Sequence, residues 1–315
     1  MNAGPRTTDR PRTTARPRTG RPRSGVIADV LEWYDRAARD LPWRREECTP
    51  WGVMVSEFML QQTPVNRVLG PWHTWLQRWP TPSDLAAEDS AEAVAAWGRL
   101  GYPRRALRLH AAARVIRDQH AGRVPDDLES LRALPGVGEY TAAAIASFGF
   151  GRRTPVVDTN VRRVLARLEL PEGEQSPGVA DRQRALDWLP EDAATAARWA
   201  AASMELGALV CTARSPDCGS CPVRDDCAWL AAGRPESSAP RRTQTWEGTD
   251  RQCRGVLLAA LRAHRDGLTR EQLVALWEDA AQAERCLDSL LDDGLARSRD
   301  EVGAAGAGEH HRITL

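Results

Sequence analysis

Hydrophobic positions recur at helical spacing through most of this chain, and that periodicity organises the rest. Val26, Val30, Leu31, Trp33 and Tyr34 mark an amphipathic helix over 26–39. From Trp51 to Thr63 the apolar residues Met54, Val55, Phe58, Met59 and Leu60 cover most of a helical circumference, which predicts a buried helix. Trp72, Trp75, Leu76 and Trp79 form an aromatic stripe that reads as core. A short helix is predicted to end near Trp97, a longer one to run from Arg104 through Ala121, and an alanine-rich one from Glu139 to Phe150. Val161, Val164, Leu165 and Leu168 carry the pattern onward, with two more helices over 179–189 and 193–206. The fold class predicted is all-α.

Three stretches depart from this pattern. Residues 1–25 are rich in arginine, proline and threonine and lack the apolar side chains needed for a core. They read as a disordered tail, either simply solvated or adding sequence-blind contacts to phosphates. Residues 233–250 read as a linker. Residues 251–315 then read as a small unit of their own: a helix carrying Val256, Leu257, Leu258 and Leu261, a second capped from Leu268-Thr269, and a third over 286–291. Glycines and alternating positions through Ile313-Thr314-Leu315 supply a short wing, so a winged-helix-like module is expected, with a plain helical bundle as the alternative. Residues 26–232 remain as the main domain.

Composition narrows the partners. With 43 basic and 43 acidic residues the chain has no net charge, so any attraction to nucleic acid must be local. Every basic residue is arginine and lysine does not occur. No apolar run approaches the roughly 20 residues of a membrane span, and the first residues lack the apolar core of a secretory signal. A cytoplasmic protein with no membrane partner is expected.

Three sites carry candidate chemistry. In the first, Pro135, Gly136, Val137 and Gly138 make a tight turn at the start of the 139–150 helix, whose unpaired N–H groups would attract an anion such as phosphate. An ordinary interhelical loop is the other reading. Asp158, twenty residues past Gly138, heads the next helix, where an aspartate is usually an N-cap. In the second, Glu57 lies within the apolar 51–63 helix, so it needs a partner, a raised pKa or a cavity. In the third, Cys211, Cys218, Cys221 and Cys227 cluster as C-x6-C-x2-C-x5-C, which argues for a metal group before disulfides; structural zinc is one possibility. Cys48, Cys253 and Cys286 are left as inert thiols.

The turn and Asp158 together resemble the helix-hairpin-helix and Gly/Pro-Asp signature of base-excision DNA glycosylases. SEFMLQQTPV, residues 56–65, is similar to the SE-x-MLQQT-x-V segment of the MutY-type adenine DNA glycosylases. The resemblance implies a two-lobed, all-α glycosylase domain whose hairpin, Gly136 to Gly138, grips a DNA phosphate. It implies that Glu57 protonates the adenine, that Asp158 serves the sugar, and that Asn160 of Asp158-Thr159-Asn160 orients the carboxylate or water. Gln61 or Gln62 would fill the gap left by the flipped base, Tyr102 of Leu100-Gly101-Tyr102 would wedge into the duplex, and Trp43 and Arg44 would border the adenine pocket. The cysteine spacing resembles the [4Fe–4S] loop that closes the glycosylase domain in endonuclease III and MutY proteins.

Departures accompany the match. Pro103 replaces a second tyrosine, Thr159 replaces a glycine, Ala201 stands where a polar pocket residue is expected, and about 65 residues cannot contain the Nudix-like domain that reads 8-oxoguanine. Lyase relatives use a lysine where this chain has Tyr140 and no lysine occurs elsewhere, so an amine nucleophile of the usual kind is excluded and water-consuming hydrolysis remains, with Tyr140 assisting by hydrogen bonding. The arginines at 104, 105 and 108, and those at 162, 163 and 167, are read as positive charge for phosphates, although solvation of helix surfaces explains the first three as well. The function implied is excision of adenine mispaired with 8-oxoguanine or guanine in duplex DNA by a monomeric, nucleoid-associated enzyme. The alternatives are a thymine or uracil mismatch glycosylase and a non-catalytic iron–sulfur DNA-binding protein.

Overall fold

The computed structural model describes residues 20–173, 177–235, 246–301 and 310–315. Most of the expected tail, the middle of the expected linker and the tip of the expected wing lie outside the described residues. In chain order the helices are α1 (Arg23–Ala37), α2 (Pro50–Leu60), α3 (Val65–Arg78), α4 (Pro82–Ala87), α5 (Ser90–Trp97), α6 (Arg104–Gln119), α7 (Leu128–Ala133) and α8 (Glu139–Ala144). They continue as α9 (Thr159–Glu169), α10 (Val179–Asp187), α11 (Ala193–Leu209), α12 (Ala228–Ala231), α13 (Asp250–Ala263), α14 (Arg270–Val274) and α15 (Ala280–Asp292). The strands are β1 (Leu268–Thr269), β2 (Arg297–Glu301) and β3 (His310–Thr314).

Short polar side chains set where helices begin. Thr49, Thr81, Asp127, Asp158, Asp192, Thr249, Thr269 and Asp279 each accept a backbone N–H of the turn they precede, worth about 1 kcal/mol apiece. Thr269 does so within a reciprocal capping box with Gln272, as its sequence position anticipates. Two helices end earlier than their apolar pattern suggests. Beyond Leu60 the chain leaves the helix, and Gln62 takes a left-handed φ of 55°. The 139–150 helix is α-helical only to Ala144 and widens into a π turn over 145–149, where a Cβ on Gly149 would lie 3.3 Å from Pro50 Cα.

The chain forms two compact units, residues 1–39 with 153–240 and residues 40–152 with 241–315. In the first, α1, α9 and α11 enclose Val26, Val30, Val161, Val164, Leu168, Trp199 and Leu206. Trp188 stacks on Trp199 with centroids 5.8 Å apart. Fully buried Glu205 is paired by Arg39 Nε at 2.7 Å and Nη2 at 2.8 Å, the charge-assisted bidentate contact a buried carboxylate requires.

In the second unit the tryptophan stripe is core, as its spacing predicts: Trp75 meets Trp79 and Trp97 edge-on. The same continuous apolar cluster takes in Leu257, Leu258, Leu261, Leu287, Leu290 and Ile313. The C-terminal elements run helix, strand, helix, helix, strand, strand, with an antiparallel sheet of order β1-β3-β2 and Leu268 opposite Ile313. A small sheet thus accompanies the C-terminal helices, which a plain helical bundle lacks. Arg297 reaches Asp89 at 3.0 Å, Arg265 reaches Glu92 at 2.7 Å, and Arg262 Nε donates to the Val94 carbonyl at 3.2 Å, tying the module to α5.

Candidate active site and iron–sulfur loop

Asp158 ends an extended stretch and caps α9: one carboxylate oxygen accepts from Val161 N at 2.7 Å and the other from Asn160 Nδ2 at 2.9 Å. Burial pushes its pKa up, opposed by the Val161 and Asn160 hydrogen bonds and by Arg163. Asn160 is held in turn, its Oδ1 accepting from Arg163 Nη2 at 2.6 Å. Arg163 also donates to the carbonyls of Cys211 at 2.7 Å and Gly207 at 2.8 Å.

Gly207 matters because α9 and α11 meet there. A Cβ at this position would lie 2.7 Å from Asn160 Cβ and 2.9 Å from its carbonyl oxygen. Gly207→Ala is therefore expected to displace Asn160 and lower about tenfold or more any turnover that depends on Asp158, with little loss of secondary structure. A wild-type single-turnover rate in that variant would refute the positioning.

The arginines of α9 are not arranged as expected. Arg163 and Arg167 are buried; Arg167 Nη1 donates to Cys211 Sγ at 3.3 Å and to Thr212 O at 2.9 Å, and its guanidinium lies 4.1 Å from the Trp229 ring centroid. They brace the cysteine loop rather than present charge to DNA, because a buried guanidinium needs its donors filled from within.

Cys211, Cys218, Cys221 and Cys227 line one pocket with Val210, Pro216, Trp229 and Leu230, and none is in a disulfide. Leu230 N donates to Cys227 Sγ at 3.4 Å. Burial pushes the Cys221 thiol up to about 12, so loading a metal group would displace protons from this loop. Among the described residues no set of three or more His, Cys, Asp or Glu side chains is drawn together as for a single metal ion. Four thiols line this one pocket, and their C-x6-C-x2-C-x5-C spacing resembles that of a [4Fe–4S] loop. Purified anaerobically, the protein is expected to hold about four iron atoms per chain through these cysteines. Stoichiometric zinc in colourless protein would overturn the assignment.

In the second unit Glu57 lies on α2 and is buried, at 6 % exposure. Trp72 Nε1 donates to the Gly52 carbonyl at 2.8 Å and Trp51 Nε1 to the Trp79 carbonyl at 3.1 Å, which pin the helix. Buried Trp43 packs edge-on against Trp72 at 5.8 Å, and Arg44 follows it in a single 3-10 turn, Pro42–Arg44.

Past α2, Gln61 and Gln62 approach the turn before α6 through Arg105, a residue whose role periodicity alone did not reveal. Its Nη1 donates to the carbonyls of Phe58 at 2.8 Å, Met59 at 3.1 Å and Gln61 at 2.6 Å. Its Nη2 donates to Thr63 Oγ1 and to the Gly101 carbonyl, both at 3.0 Å. Desolvation pushes this guanidinium down to about 10, so it stays charged at neutral pH. Of the three arginines opening α6, it is thus an internal clamp, Arg104 pairs with Asp293, and Arg108 is exposed. The clamp joins two residues held at positive φ, Gln62 at 55° and Tyr102 at 47°. Such backbone persists only where surrounding contacts over-determine it.

The hairpin is α7, the turn and α8. Gly136 has a φ of 80°, and a Cβ there would lie 2.8 Å from Arg108 Cβ and 3.0 Å from Phe58 Cε1. Val137 is buried and anchors the turn, leaving Gly136 and Gly138 exposed. Tyr140 sits half-buried in the first turn of α8.

Comparison with known proteins agrees with this construction. Residues 55–190 match the model of the HhH-GPD superfamily of base excision DNA repair proteins, and residues 211–227 match the iron–sulfur binding domain of endonuclease III. A thermostable thymine-DNA glycosylase superposes with a TM-score of 0.59 at 25% identity, over 66% of this chain and 96% of that one. The fold and site thus define a helix-hairpin-helix base-excision repair protein. An adenine DNA glycosylase of Mycolicibacterium smegmatis is 50% identical over 282 residues, 89% of this chain and 96% of the relative. One from Mycobacterium tuberculosis is 52% identical over 278 residues, 87% and 91%. The chain belongs to the adenine DNA glycosylase family.

Proposed function

We propose that this chain hydrolyses the N-glycosidic bond of adenine mispaired with 8-oxoguanine or guanine in duplex DNA, without cutting the strand. One observation carries the hydrolytic reading: the chain has no lysine, and Tyr140 occupies the place where a Schiff-base amine would stand. Similarity to adenine glycosylases across nearly the whole chain supports the choice of base.

The adenine first leaves the base stack, at a cost of a few kcal/mol that is smaller at a mismatch. Adenine is a poor anionic leaving group, so buried Glu57 donates a proton to it. Cleavage of the bond leaves positive charge on the sugar. Asp158, ionised and held by Val161 N and Asn160, stabilises that charge or adds to it transiently until water completes the hydrolysis. Tyr140 assists by hydrogen bonding, Trp43 and Arg44 border the base, and Gln61 or Gln62 fills the vacated stack. Gly136, Val137 and Gly138 hold a backbone phosphate while Tyr102 wedges into the duplex. Cys211, Cys218, Cys221 and Cys227 would hold a [4Fe–4S] cluster, which supplies a rigid cross-link of their loop. The enzyme acts as a monomer at the bacterial nucleoid, and residues 251–315 form its winged-helix-like module.

A second reading, excision of thymine or uracil opposite guanine, is favoured by likeness to the thymine-DNA glycosylase. Duplexes containing A:8-oxoG, A:G, T:G and U:G pairs, incubated with protein and then treated with alkali, discriminate. Breaks at adenine alone are expected. Breaks at thymine or uracil would select the rival, and tight binding without breaks would leave a non-catalytic DNA-binding protein.

A further inference from the structure

The surface around Tyr102 is not made by the helix-hairpin-helix elements alone. The Arg251 guanidinium, in the first turn of α13, lies 4.6 Å from the Tyr102 ring centroid and 5.3 Å from that of Trp246. Trp246 is 51% exposed and Tyr102 39%. Arg251 is itself exposed and has no carboxylate partner among the described residues, whereas its neighbours Arg104 and Arg254 both converge on Asp293. The turn carrying Trp246 is fixed: Thr249 Oγ1 donates to the Trp246 carbonyl at 2.8 Å, and Gln282 Nε2 donates to the Gly248 carbonyl at 3.0 Å. Asp293 takes Arg104 Nε at 2.6 Å, one residue past Pro103, so the C-terminal helices are locked to the segment that presents Tyr102.

We propose that the C-terminal segment is part of the DNA interface and meets the duplex at the Tyr102 turn. Arg251 takes a backbone phosphate, and Trp246 packs on an exposed sugar or base face. The chemistry is that of nucleic-acid surfaces generally: a guanidinium without a carboxylate partner among the described residues, set close to two exposed rings, offers charge to the backbone while the rings offer π-faces to bases. Acidic protein partners would also suit an arginine, but the solvent-facing ring of Trp246 beside the exposed, positive-φ Tyr102 favours stacked bases. The proposal rests on the reading that this chain acts on DNA with Tyr102 at the duplex.

The test is equilibrium binding of the full-length protein to a duplex holding 2′-fluoro-adenosine opposite guanine, whose fluorine suppresses cleavage, across a salt series. Arg251→Gln is expected to weaken binding about tenfold and to reduce the salt slope by about one, the loss of one phosphate contact. Arg251→Lys should recover the slope, since it keeps the charge. Trp246→Ala should weaken binding about fivefold with the slope unchanged. Arg265→Gln, from an arginine already paired with Glu92, should bind within about twofold of wild type. Wild-type affinity and slope in Arg251→Gln would overturn the proposal, as would an equal loss in Arg265→Gln. A wild-type protein that binds the duplex but releases no adenine from a cleavable A:G or A:8-oxoG duplex would instead refute the proposed activity and leave this interface standing.

Discussion

Asp158→Asn is expected to slow adenine release by at least about a thousandfold while duplex affinity stays within about threefold of wild type. Asparagine caps a helix as well as aspartate, so α9 should remain intact. The pKa direction adds a second outcome. Burial raises the folded-state pKa of Asp158 above the roughly 3.9 of a free aspartate, so folding favours its protonated form. Stability associated with this group is therefore full below pH ~3.9 and declines as pH rises through the folded value, while activity, which needs the carboxylate, rises across the same window. The acidic limb of the single-turnover profile should accordingly lie above pH ~3.9, and the asparagine variant should melt at or above the wild-type temperature. Unchanged turnover would remove Asp158 from the chemistry; an acidic limb at the free-aspartate value would remove burial as its controlling influence.

Arg105→Met should be the most destabilising of the single substitutions considered. It removes five donated hydrogen bonds of 3.1 Å or shorter, to the carbonyls of Phe58, Met59, Gln61 and Gly101 and to Thr63 Oγ1, of which the Gly101 carbonyl keeps Trp97 Nε1 and the Gln61 carbonyl keeps Thr63 Oγ1. A loss of about 3–5 kcal/mol is expected for breaking such a buried polar centre, a fall in Tm of roughly 10 °C. Lysine should restore less than half, because one ammonium cannot reach both sets of acceptors that the planar fork spans. The released Gln62 and Tyr102 would relax from positive φ, so duplex affinity should fall by more than the unfolded fraction explains. Calorimetry paired with anisotropy binding checks both parts, and a melting temperature within 2–3 °C of wild type would exclude the clamp.

What the sequence made legible follows from its physics. Helical periodicity exposed the tryptophan core and most helices, and the Cys211 to Cys227 spacing and the Glu57 segment carried a family resemblance that the whole-chain comparisons agree with. Arg105, Arg163 and Arg167 were misassigned because an arginine reads as surface by default. The signal was nevertheless present: Arg105 is in phase with Leu109, Ala112 and Ile116, the core-facing positions of α6. On α9 no such phase marked Arg163 and Arg167: they lie one turn apart but off the Val161, Val164, Leu165 and Leu168 stripe, buried against a second face. Gly207 carried only the weak mark of a glycine inside a helix. The Arg251, Tyr102 and Trp246 cluster was illegible because about 145 residues of sequence separate Tyr102 from the other two, and no local rule spans that distance.

Both compact units are discontinuous in the chain, each assembled from an early and a late segment. On the ribosome the helix bearing Glu57 therefore emerges long before Leu257, Leu261, Leu287 and Ile313, with which its unit shares a core. Until synthesis reaches those last residues, the nascent lobe lacks part of its apolar cover, and long-range closure makes this the slow stage of folding. Premature termination between α12 and α13 would thus leave more than a missing module: it would leave a partly finished lobe exposing the apolar face that α13 and α15 cover, a substrate for chaperones and proteases.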